Sequence, residues 1–283
     1  MMIEYNPEFL EKTSFLGKAQ SDNLRAICAD IDLNEIIANI ENRKSIAHKL
    51  CFDFIYTSAI IEGNTYTRGE AETLFETRLP ISSKSVDDAN MLLNIKYALD
   101  YILQEKPTIT KHSIREIHQI LSQGLLPKKA QGGVRELAVT IGNSEYVPLS
   151  NPLELELQME RMISYYQKID NPFNKAIYIH NNTAYLQYFQ DCNKRLARIL
   201  QNLSLINDNM PFLSLNASRA QTEIKAQYKD AMIAYYESGD SKPYVSFFVS
   251  EYTKTLQAIK QISTPLIHKN TNTSPQPTKS KRR

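Results

Sequence analysis

A short segment of the chain, Gln187–Arg198, carries the residue types of a polyphosphate site. The pattern predicts that one helix ends near Leu186 and that the next begins near Lys194. Arg195 and Arg198 are one turn apart on the second helix, so both guanidinium groups project to one side. A helix N-terminus also offers free backbone N–H groups, and these donors together suit an anion with several phosphate oxygens.

The loop before this helix adds a carboxylate and an amide. Asp191 can hold Mg²⁺, which prefers a carboxylate together with phosphate oxygens. Asn193 can donate hydrogen bonds to a phosphate group. The alternative is structural, because Asp191 or Asn193 can also cap a solvated basic helix start that binds nothing. The residues of the segment alone leave both interpretations open.

Other common catalytic motifs are missing from the sequence. It contains no GxxxxGK(S/T), no GxGxxG and no HExxH pattern. The histidines do not cluster, and no Ser-His-Asp arrangement can be inferred from residue order. His118 and His180 lie in apolar helical segments, which favours buried core histidines over ligands.

The candidate residues must be positioned by a mainly helical chain. Apolar side chains recur at helical spacing in segments 46–61, 90–104, 174–186 and 196–206, and two later segments, 215–236 and 244–262, also favour helices. One stretch differs: residues 132–143 have glycines near both ends and β-forming residues between them. That pattern predicts a β-hairpin.

The composition limits the class of protein. The 283 residues allow one large domain or two small ones, and a hydrophobic fraction of 42% provides for a core. Only 8 glycines are present, which argues against glycine-rich nucleotide folds and turn-rich all-β domains. No apolar run approaches the ~18 residues of a membrane span, and the acidic start is unlike a signal peptide.

The charge is distributed unevenly along the chain. Residues 264–283 contain five Lys or Arg and no acid, which leaves the rest with 28 basic and 31 acidic side chains, a net charge of −3. We therefore expect no binding of nucleic acid and no membrane association, and a disordered basic tail over 263–283. Three widely spaced cysteines are typical of reduced thiols, so we expect a cytoplasmic protein.

The segment 187–198 resembles the signature HPFx(D/E)GNGRxxR of the Fic (Fido-domain) family, whose enzymes transfer AMP from ATP to a hydroxyl group of a target protein. Five of the nine defined positions agree. Gln187 and Tyr188 stand where the family has His and Pro, and Cys192 and Lys194 replace its two glycines. The agreeing positions are Phe189, Asp191, Asn193, Arg195 and Arg198.

Three further stretches strengthen the resemblance. Residues 132–149 are similar to the hairpin flap of the family, with Arg135 and Pro148 in register. The sequence from Ser58 to Gly63 matches the pattern (S/T)xxxE(G/N) of members with an N-terminal inhibitory helix. Small and polar residues of the family's earlier helices are also matched, by Asn94, Ala98, Ala176 and His180.

The resemblance implies an all-α Fic/Fido fold with one short β-hairpin flap. It implies an N-terminal helical region, 1–85, with an inhibitory helix at about 46–64, followed by a Fido core at 86–262. ATP and Mg²⁺ are the implied ligands, and the implied partner is a target protein docked on the flap, with a homo-oligomer as a further possibility. The implied roles are the metal at Asp191, the nucleotide phosphates at Asn193, Lys194, Arg195 and Arg198, inhibition by Ser58 and Glu62, and target binding by Val139, Thr140, Ile141 and Gly142.

The departures from the signature affect the catalytic step. The family histidine takes the proton from the target hydroxyl, and Gln187 has no group that titrates near neutral pH. Loss of a positioned base costs typically ~10²–10⁴-fold in rate. Cys192 and Lys194 add Cβ atoms where the family has glycine, and we expect them to narrow or reshape the loop.

Three hypotheses follow. The first is a degenerate Fic-like protein that binds Mg·ATP weakly or not at all and transfers AMP very poorly. The second is an active enzyme of the same group that uses another base, with His180 or Tyr188 as the candidates, or that transfers a different nucleotidyl or phosphoryl group. The third is a helical interaction module that binds no nucleotide, although the retention of Glu62 and Arg198 speaks against it.

Overall fold

Eleven α-helices and two very short strands make up residues 2–40, 42, 45–215 and 221–267, which the computed structural model describes. The strands are β1 (Ile3–Glu4) and β2 (Tyr146–Val147). Short 3-10 helices cover Pro7–Glu11 and Lys128–Ala130. The α-helices are α1 (Lys18–Cys28), α2 (Leu33–Ala38), α3 (Ile46–Ile61), α4 (Arg68–Thr77), α5 (Val86–Glu105), α6 (Lys111–Ser122), α7 (Pro152–Tyr166), α8 (Pro172–Leu186), α9 (Asn193–Asn207), α10 (Gln221–Ser238) and α11 (Lys242–Ile267).

The helix starts follow from capping residues in the sequence. The Ser45 hydroxyl accepts a hydrogen bond from the backbone N–H of His48 and caps α3. Asn171 caps α8, and the proline that follows it at the first helical position has no N–H that the helix would leave unpaired. These two caps fix where the helices that carry the site begin.

Helices α8 and α9 form the centre of the fold. They are neighbours in sequence and pack against each other more extensively than any other pair of the described elements. Nearly every side chain of both helices is buried, as expected for helices that other helices surround. The loop between them, residues 187–192, is therefore held on a rigid pair of helices.

Helix α3 joins the same core, although it lies far away in sequence. It packs against α5, α10 and α11. The hydroxyl of Ser214 donates to the carbonyl oxygen of Leu50, and the Asn64 side chain donates to the carbonyl oxygen of Asp88. These bonds tie the first half of α3 to the segment that follows α9, and the residues after α3 to the first turn of α5.

The mainly helical fold class is confirmed, but the flap differs from the predicted hairpin in its pairing. Residues 132–149 turn at Gly142 and Asn143, and the two arms form no strand ladder with each other in the described chain. Instead β2 pairs in parallel with β1, with Ile3 opposite Tyr146. The N-terminal segment lies beside this arm, and the backbone N–H of Ile3 donates to the Glu145 carbonyl at 3.0 Å, so the arm takes its strand partner from outside the flap.

The C-terminal helix is longer than the sequence pattern predicts. Helix α11 extends to Ile267, so residues 263–267 are helical although they were predicted to belong to a disordered tail. The rest of that predicted tail, 268–283, lies outside the described residues. No helix in the described ranges has both the length and the apolar composition that a bilayer crossing requires.

Candidate functional site

The loop between α8 and α9 begins and ends with residues in the left-handed region. Gln187 has φ 48° and follows α8, and Cys192 has φ 65° and precedes α9. A residue with a Cβ atom loses roughly 1–2 kcal/mol in this conformation. Cys192 therefore adopts the left-handed backbone that the family glycine would adopt more easily. Lys194 lies in the first turn of α9 with a helical backbone. The turn between the two helices thus forms without the two glycines.

The side chain of Asn193 holds this loop closed. Its Oδ1 accepts from the backbone N–H of Phe189 at 3.0 Å, and its Nδ2 donates to the Phe189 carbonyl at 2.7 Å. The same Nδ2 donates to Oε1 of Gln187 at 3.0 Å, while Nε2 of Gln187 donates to the Ala184 carbonyl at 2.7 Å. The predicted phosphate ligand Asn193 thus uses its amide within the loop, and Gln187 is fixed by the same network.

A buried histidine supports the loop from below. Nδ1 of His118 accepts from the backbone N–H of Gly132, so Nε2 carries the proton and donates to the Asp191 carbonyl at 3.1 Å. The imidazole also stacks on Phe189 with ring centroids 3.8 Å apart. Burial lowers the pKa of His118 to about 4, so the ring stays neutral. The prediction of a core histidine is confirmed, but its support of the loop could not be inferred from the sequence.

Arg135 ties the base of the flap to this loop. Its backbone N–H donates to the Tyr188 carbonyl at 3.0 Å, and its Nε donates to the Gln187 carbonyl at 2.6 Å. The side chain is buried, so these bonds are shielded from water. The flap residues Val139–Gly142 then pass over the loop and form one wall of a cavity.

The centre of the site is an ion pair between α3 and α9. Oε1 of Glu62 lies 2.8 Å from Nη2 of Arg198, whose side chain is only 3% exposed. The same guanidinium donates from Nε to the Ser58 hydroxyl at 2.7 Å and from Nη2 to the Ser58 carbonyl at 3.1 Å. The structure thus brings Arg198 together with Ser58 and Glu62, which lie more than 130 residues earlier in the chain.

Lys194 completes the charge cluster from the first turn of α9. Its Nζ lies 3.1 Å from Oε2 of Glu62, so the two carboxylate oxygens face two different cations. Burial would raise the pKa of Glu62, but Arg198, Lys194 and Arg195 together lower it to about 2. Glu62 is therefore ionised at neutral pH.

Asp191 and Arg195 form a second pair beside the first. Oδ2 of Asp191 accepts from Nη2 of Arg195 at 3.0 Å, and Oδ1 accepts from the backbone N–H of Cys192. The Asp191 side chain is 62% exposed and keeps free lone pairs, so it fits a Mg²⁺ ion that takes its other ligands from phosphate and water. Within the described residues, no three His, Cys, Asp or Glu side chains are grouped so that they could hold a metal ion. A metal ion at Asp191 would therefore need ligands from phosphate and water.

Arg195 has donors that the protein does not use. Its side chain is only 5% exposed, yet Nε and Nη1 have no hydrogen-bond partner in the described chain. A buried donor without an acceptor is costly, roughly 1–3 kcal/mol. Phosphate oxygens are the kind of acceptor that these N–H groups lack, but Arg195 does not line the cavity, so a phosphate would reach them only after neighbouring groups move.

A cavity of about 400 Å³ opens above these groups. Its size is within the usual range of small-molecule sites. Gln187, Asp191, Asn193 and Lys194 line it together with Glu62, whereas Ser58, Arg195 and Arg198 are buried and do not. Sequence reasoning missed the wall that α10 provides, which consists of Lys225, Tyr228, Lys229, Met232, Ile233 and Tyr236.

The α10 residues share one helix face, and their spacing of three and four was the signal that could have identified them. The ring of Tyr228 lies 5.1 Å from the guanidinium of Arg198, a cation–π distance. The hydroxyl of Tyr228 is hydrogen-bonded to Nε2 of His180 at 3.0 Å. Helix α10 therefore helps to orient Arg198 in addition to forming a wall.

The two alternative bases are not placed for catalysis. His180 is fully buried, its nitrogens face Asn181 and Tyr228, and burial lowers its pKa to about 3. Tyr188 donates its hydroxyl to Glu156 at 2.8 Å, and burial raises its pKa. Neither side chain lines the cavity. Cys192 is also inert, since burial raises the pKa of its thiol to about 12.

The ion pair of Glu62 should make stability depend on pH. The pKa of Glu62 is about 2 in the folded protein and near 4.5 in the unfolded chain. The carboxylate therefore stabilises the fold above pH 4.5, and this contribution is lost as the pH falls toward 2. The difference in unfolding free energy between the wild type and Glu62→Gln should be about 3 kcal/mol at pH 6. Urea unfolding between pH 7 and 3 should show this difference shrinking below pH 4.5.

The neutral histidines lower stability in acid in both proteins, so their effect cancels in that comparison. A difference that stays constant down to pH 3 would show that the Glu62 carboxylate carries no such linkage.

Comparison with known proteins agrees with this geometry. The Fic/DOC family matches residues 108–205. The protein named "Protein adenylyltransferase Fic" from Drosophila persimilis is 30% identical over 212 residues, which are 72% of this chain and 40% of that protein. The protein of the same name from Drosophila ananassae is 28% identical over 243 residues, 83% of this chain and 46% of that protein. The chain thus spans less than half the length of these curated relatives.

Solved structures show the same fold. Residues 134–508 of Fic-1 from C. elegans superpose with a TM-score of 0.69 at 20% identity, covering 91% of this chain and 73% of that one. A Fic domain containing signaling protein from Bacteroides thetaiotaomicron gives 0.66 at 21% identity, with 87% and 97% covered. The helical fold and the α8–α9 loop thus define a protein of the Fido class. The chain belongs to the Fic/DOC family.

Proposed function

We propose that this protein binds ATP with Mg²⁺, that Glu62 holds it in an inhibited state, and that its transfer of AMP to a protein hydroxyl is impaired. The single observation that carries the proposal is the ion pair between Glu62 and Arg198. It lies beside a loop that has Gln187 at the position of the family's catalytic histidine. The curated relatives are named adenylyltransferases, which supports the reaction class.

The nucleotide phosphates would lie against the start of α9. The ammonium of Lys194, which lines the cavity, would bind phosphate oxygens directly. The buried guanidinium groups of Arg195 and Arg198 would bind phosphate oxygens once Glu62 moves away, with Arg198 on the terminal phosphate. Asn193 would act mainly by holding the loop in shape, because its amide already makes three hydrogen bonds there. Mg²⁺ held by Asp191 would neutralise charge on the phosphates.

The catalytic step lacks a base. The amide of Gln187 can accept a hydrogen bond from a target hydroxyl but cannot remove its proton. His180 and Tyr188 do not reach the cavity, so an active enzyme with another base is less well supported. The missing base alone accounts for a loss of typically ~10²–10⁴-fold in rate.

The flap is the proposed docking site for the target protein. Residues Val139–Gly142 line the cavity and form no strand with the rest of the described chain. An extended segment of a target could add to them through main-chain hydrogen bonds, with little dependence on its side chains. We also propose that residues 1–85 are an N-terminal helical region that carries the inhibitory helix at about 46–64, because α3 carries Ser58 and is followed directly by Glu62. We propose a cytoplasmic location.

The test uses the unmodified chain with Mg·ATP. Thermal stability should rise only at millimolar nucleotide, and incubation with α-³²P-labelled ATP should leave no label on the protein or on added acceptor proteins. Rapid labelling by the wild type would contradict impaired transfer. Absence of any stabilisation by Mg·ATP, even in Glu62→Gly, would favour a helical interaction module without nucleotide.

A further inference from the structure

The Glu62 carboxylate is held between two cations of the same helix. Arg198 binds Oε1 and Lys194 binds Oε2, at 2.8 and 3.1 Å, and the two residues are one turn apart on α9. Glu62 is nearly buried, with 12% of its side chain exposed. Each carboxylate oxygen therefore has its own cation, and rotation of the carboxylate would break both contacts.

Lys194 stands where the family signature has a glycine. A glycine has no side chain that could reach Glu62, so this contact belongs to the present sequence and not to the signature. The lysine stem extends from the first turn of α9 toward the end of α3, and the side chain remains 41% exposed. It can thus bind Glu62 and still face the cavity, which it lines.

We propose that Lys194 is a positioning residue that forms the second bond of the inhibitory latch and turns to the ligand when Glu62 is displaced. With Glu62 in place, Lys194 opposes nucleotide entry, because a ligand must break two ion pairs instead of one. With Glu62 gone, the same ammonium lies free beside the start of α9 and attracts the phosphates. The second half of this inference rests on the proposed function, whereas the first half does not.

A surface pair with no energetic effect is the competing interpretation. Exposed ion pairs contribute little, often 0–1 kcal/mol. The observation against that interpretation is the burial of the Glu62 carboxylate, since a nearly buried charge interacts more strongly with its partners than an exposed one. The coupling between the two residues decides between the interpretations and can be measured directly.

The first experiment needs no ligand. Urea unfolding midpoints are measured for the wild type, Lys194→Met, Glu62→Gln and the double variant, because methionine keeps the apolar stem and the helix propensity. Lys194→Met should lower the midpoint when Glu62 is present and leave it unchanged when residue 62 is glutamine. An equal shift in both backgrounds would overturn the latch.

Lys254→Met is the matched control. Lys254 is 43% exposed and lies 2.8 Å from the buried Glu251 within α11, so it is also a half-exposed lysine paired with a buried glutamate, and neither residue lines the cavity. Its removal should shift the midpoint equally with and without Glu62. A dependence on Glu62 at Lys254 would show that the coupling at Lys194 is not specific.

The second experiment measures the affinity for Mg·ATP in the same way. Lys194→Met should tighten binding roughly 3- to 10-fold in the chain with Glu62 and weaken it by a similar factor in Glu62→Gly. Lys254→Met should change neither affinity. The same direction of change in both backgrounds would overturn the dual role, while failure of every variant to bind ATP would refute the proposed function and leave the unfolding experiment to decide the latch.

Discussion

Replacement of Glu62 by glycine is expected to raise the affinity for Mg·ATP by roughly 100-fold. In the wild type a nucleotide must first break the buried contact between Glu62 and Arg198, which is 2.8 Å long. Breaking such a pair costs about 3 kcal/mol, or two powers of ten in a dissociation constant. Without Glu62, both Arg198 and Lys194 lack a counter-ion, and the triphosphate supplies one. Isothermal titration calorimetry measures the two constants.

Ser58→Ala provides a graded control for this result. The variant removes the hydroxyl that accepts from Nε of Arg198 but leaves Glu62 in place. Its affinity for Mg·ATP should change by less than about 5-fold, since a single neutral hydrogen bond is worth about 1 kcal/mol. An equal affinity of the wild type and Glu62→Gly would show that the ion pair does not block the nucleotide.

The second large effect concerns the catalytic position. Gln187→His in the Glu62→Gly background should raise self-labelling from α-³²P-labelled ATP by roughly 10- to 100-fold, below the ~10²–10⁴-fold that a well-placed base supplies. Histidine is among the residues that tolerate the left-handed backbone at this position, where φ is 48°. The gain is limited because histidine cannot repeat both amide contacts, to Ala184 and Asn193, and because Cys192 and Lys194 remain.

Gln187→Asn in the same background is the control without a titratable group. It should label no faster than Glu62→Gly, and only the histidine variant should show a rate that increases as the pH passes through about 6.5. Strong labelling by Glu62→Gly with Gln187 intact would mean that the site already has a base. Equal rates for the histidine and asparagine variants would show that the loop, and not the base, is the defect.

Local sequence predicted six of the eleven α-helices of the described residues and missed α1, α2, α4, α6 and α7. The apolar spacing of residues 46–61 and the cap at Ser45 coincide with α3 to the residue, because both are properties of a single segment. The flap pairing could not be predicted in this way. Strand β2 pairs with residues 3–4, which lie more than 140 positions away in the chain. A strand of two residues is too short to show the alternating pattern from which strands are predicted.

The site was predictable only in part. The charge spacing in 187–198 indicated a phosphate site, but the contact between Glu62 and Arg198 followed from the family pattern, since no local rule joins two distant segments. The direction of the Lys194 side chain depends on where α3 ends and could not be inferred. The sequence assigned Asn193 to phosphate binding, but in the structure its amide is hydrogen-bonded to Phe189 and closes the loop without a ligand.

The most direct test of a triphosphate site closed by Glu62 compares three nucleotides. The affinities of AMP, ADP and ATP, each with Mg²⁺, are measured by calorimetry for the wild type and for Glu62→Gly. If Glu62 competes with the terminal phosphate for Arg198, the gain should be roughly 100-fold for ATP, much smaller for ADP and absent for AMP. Equal gains for all three nucleotides would contradict the competition, because the effect of Glu62 would then not depend on the terminal phosphate.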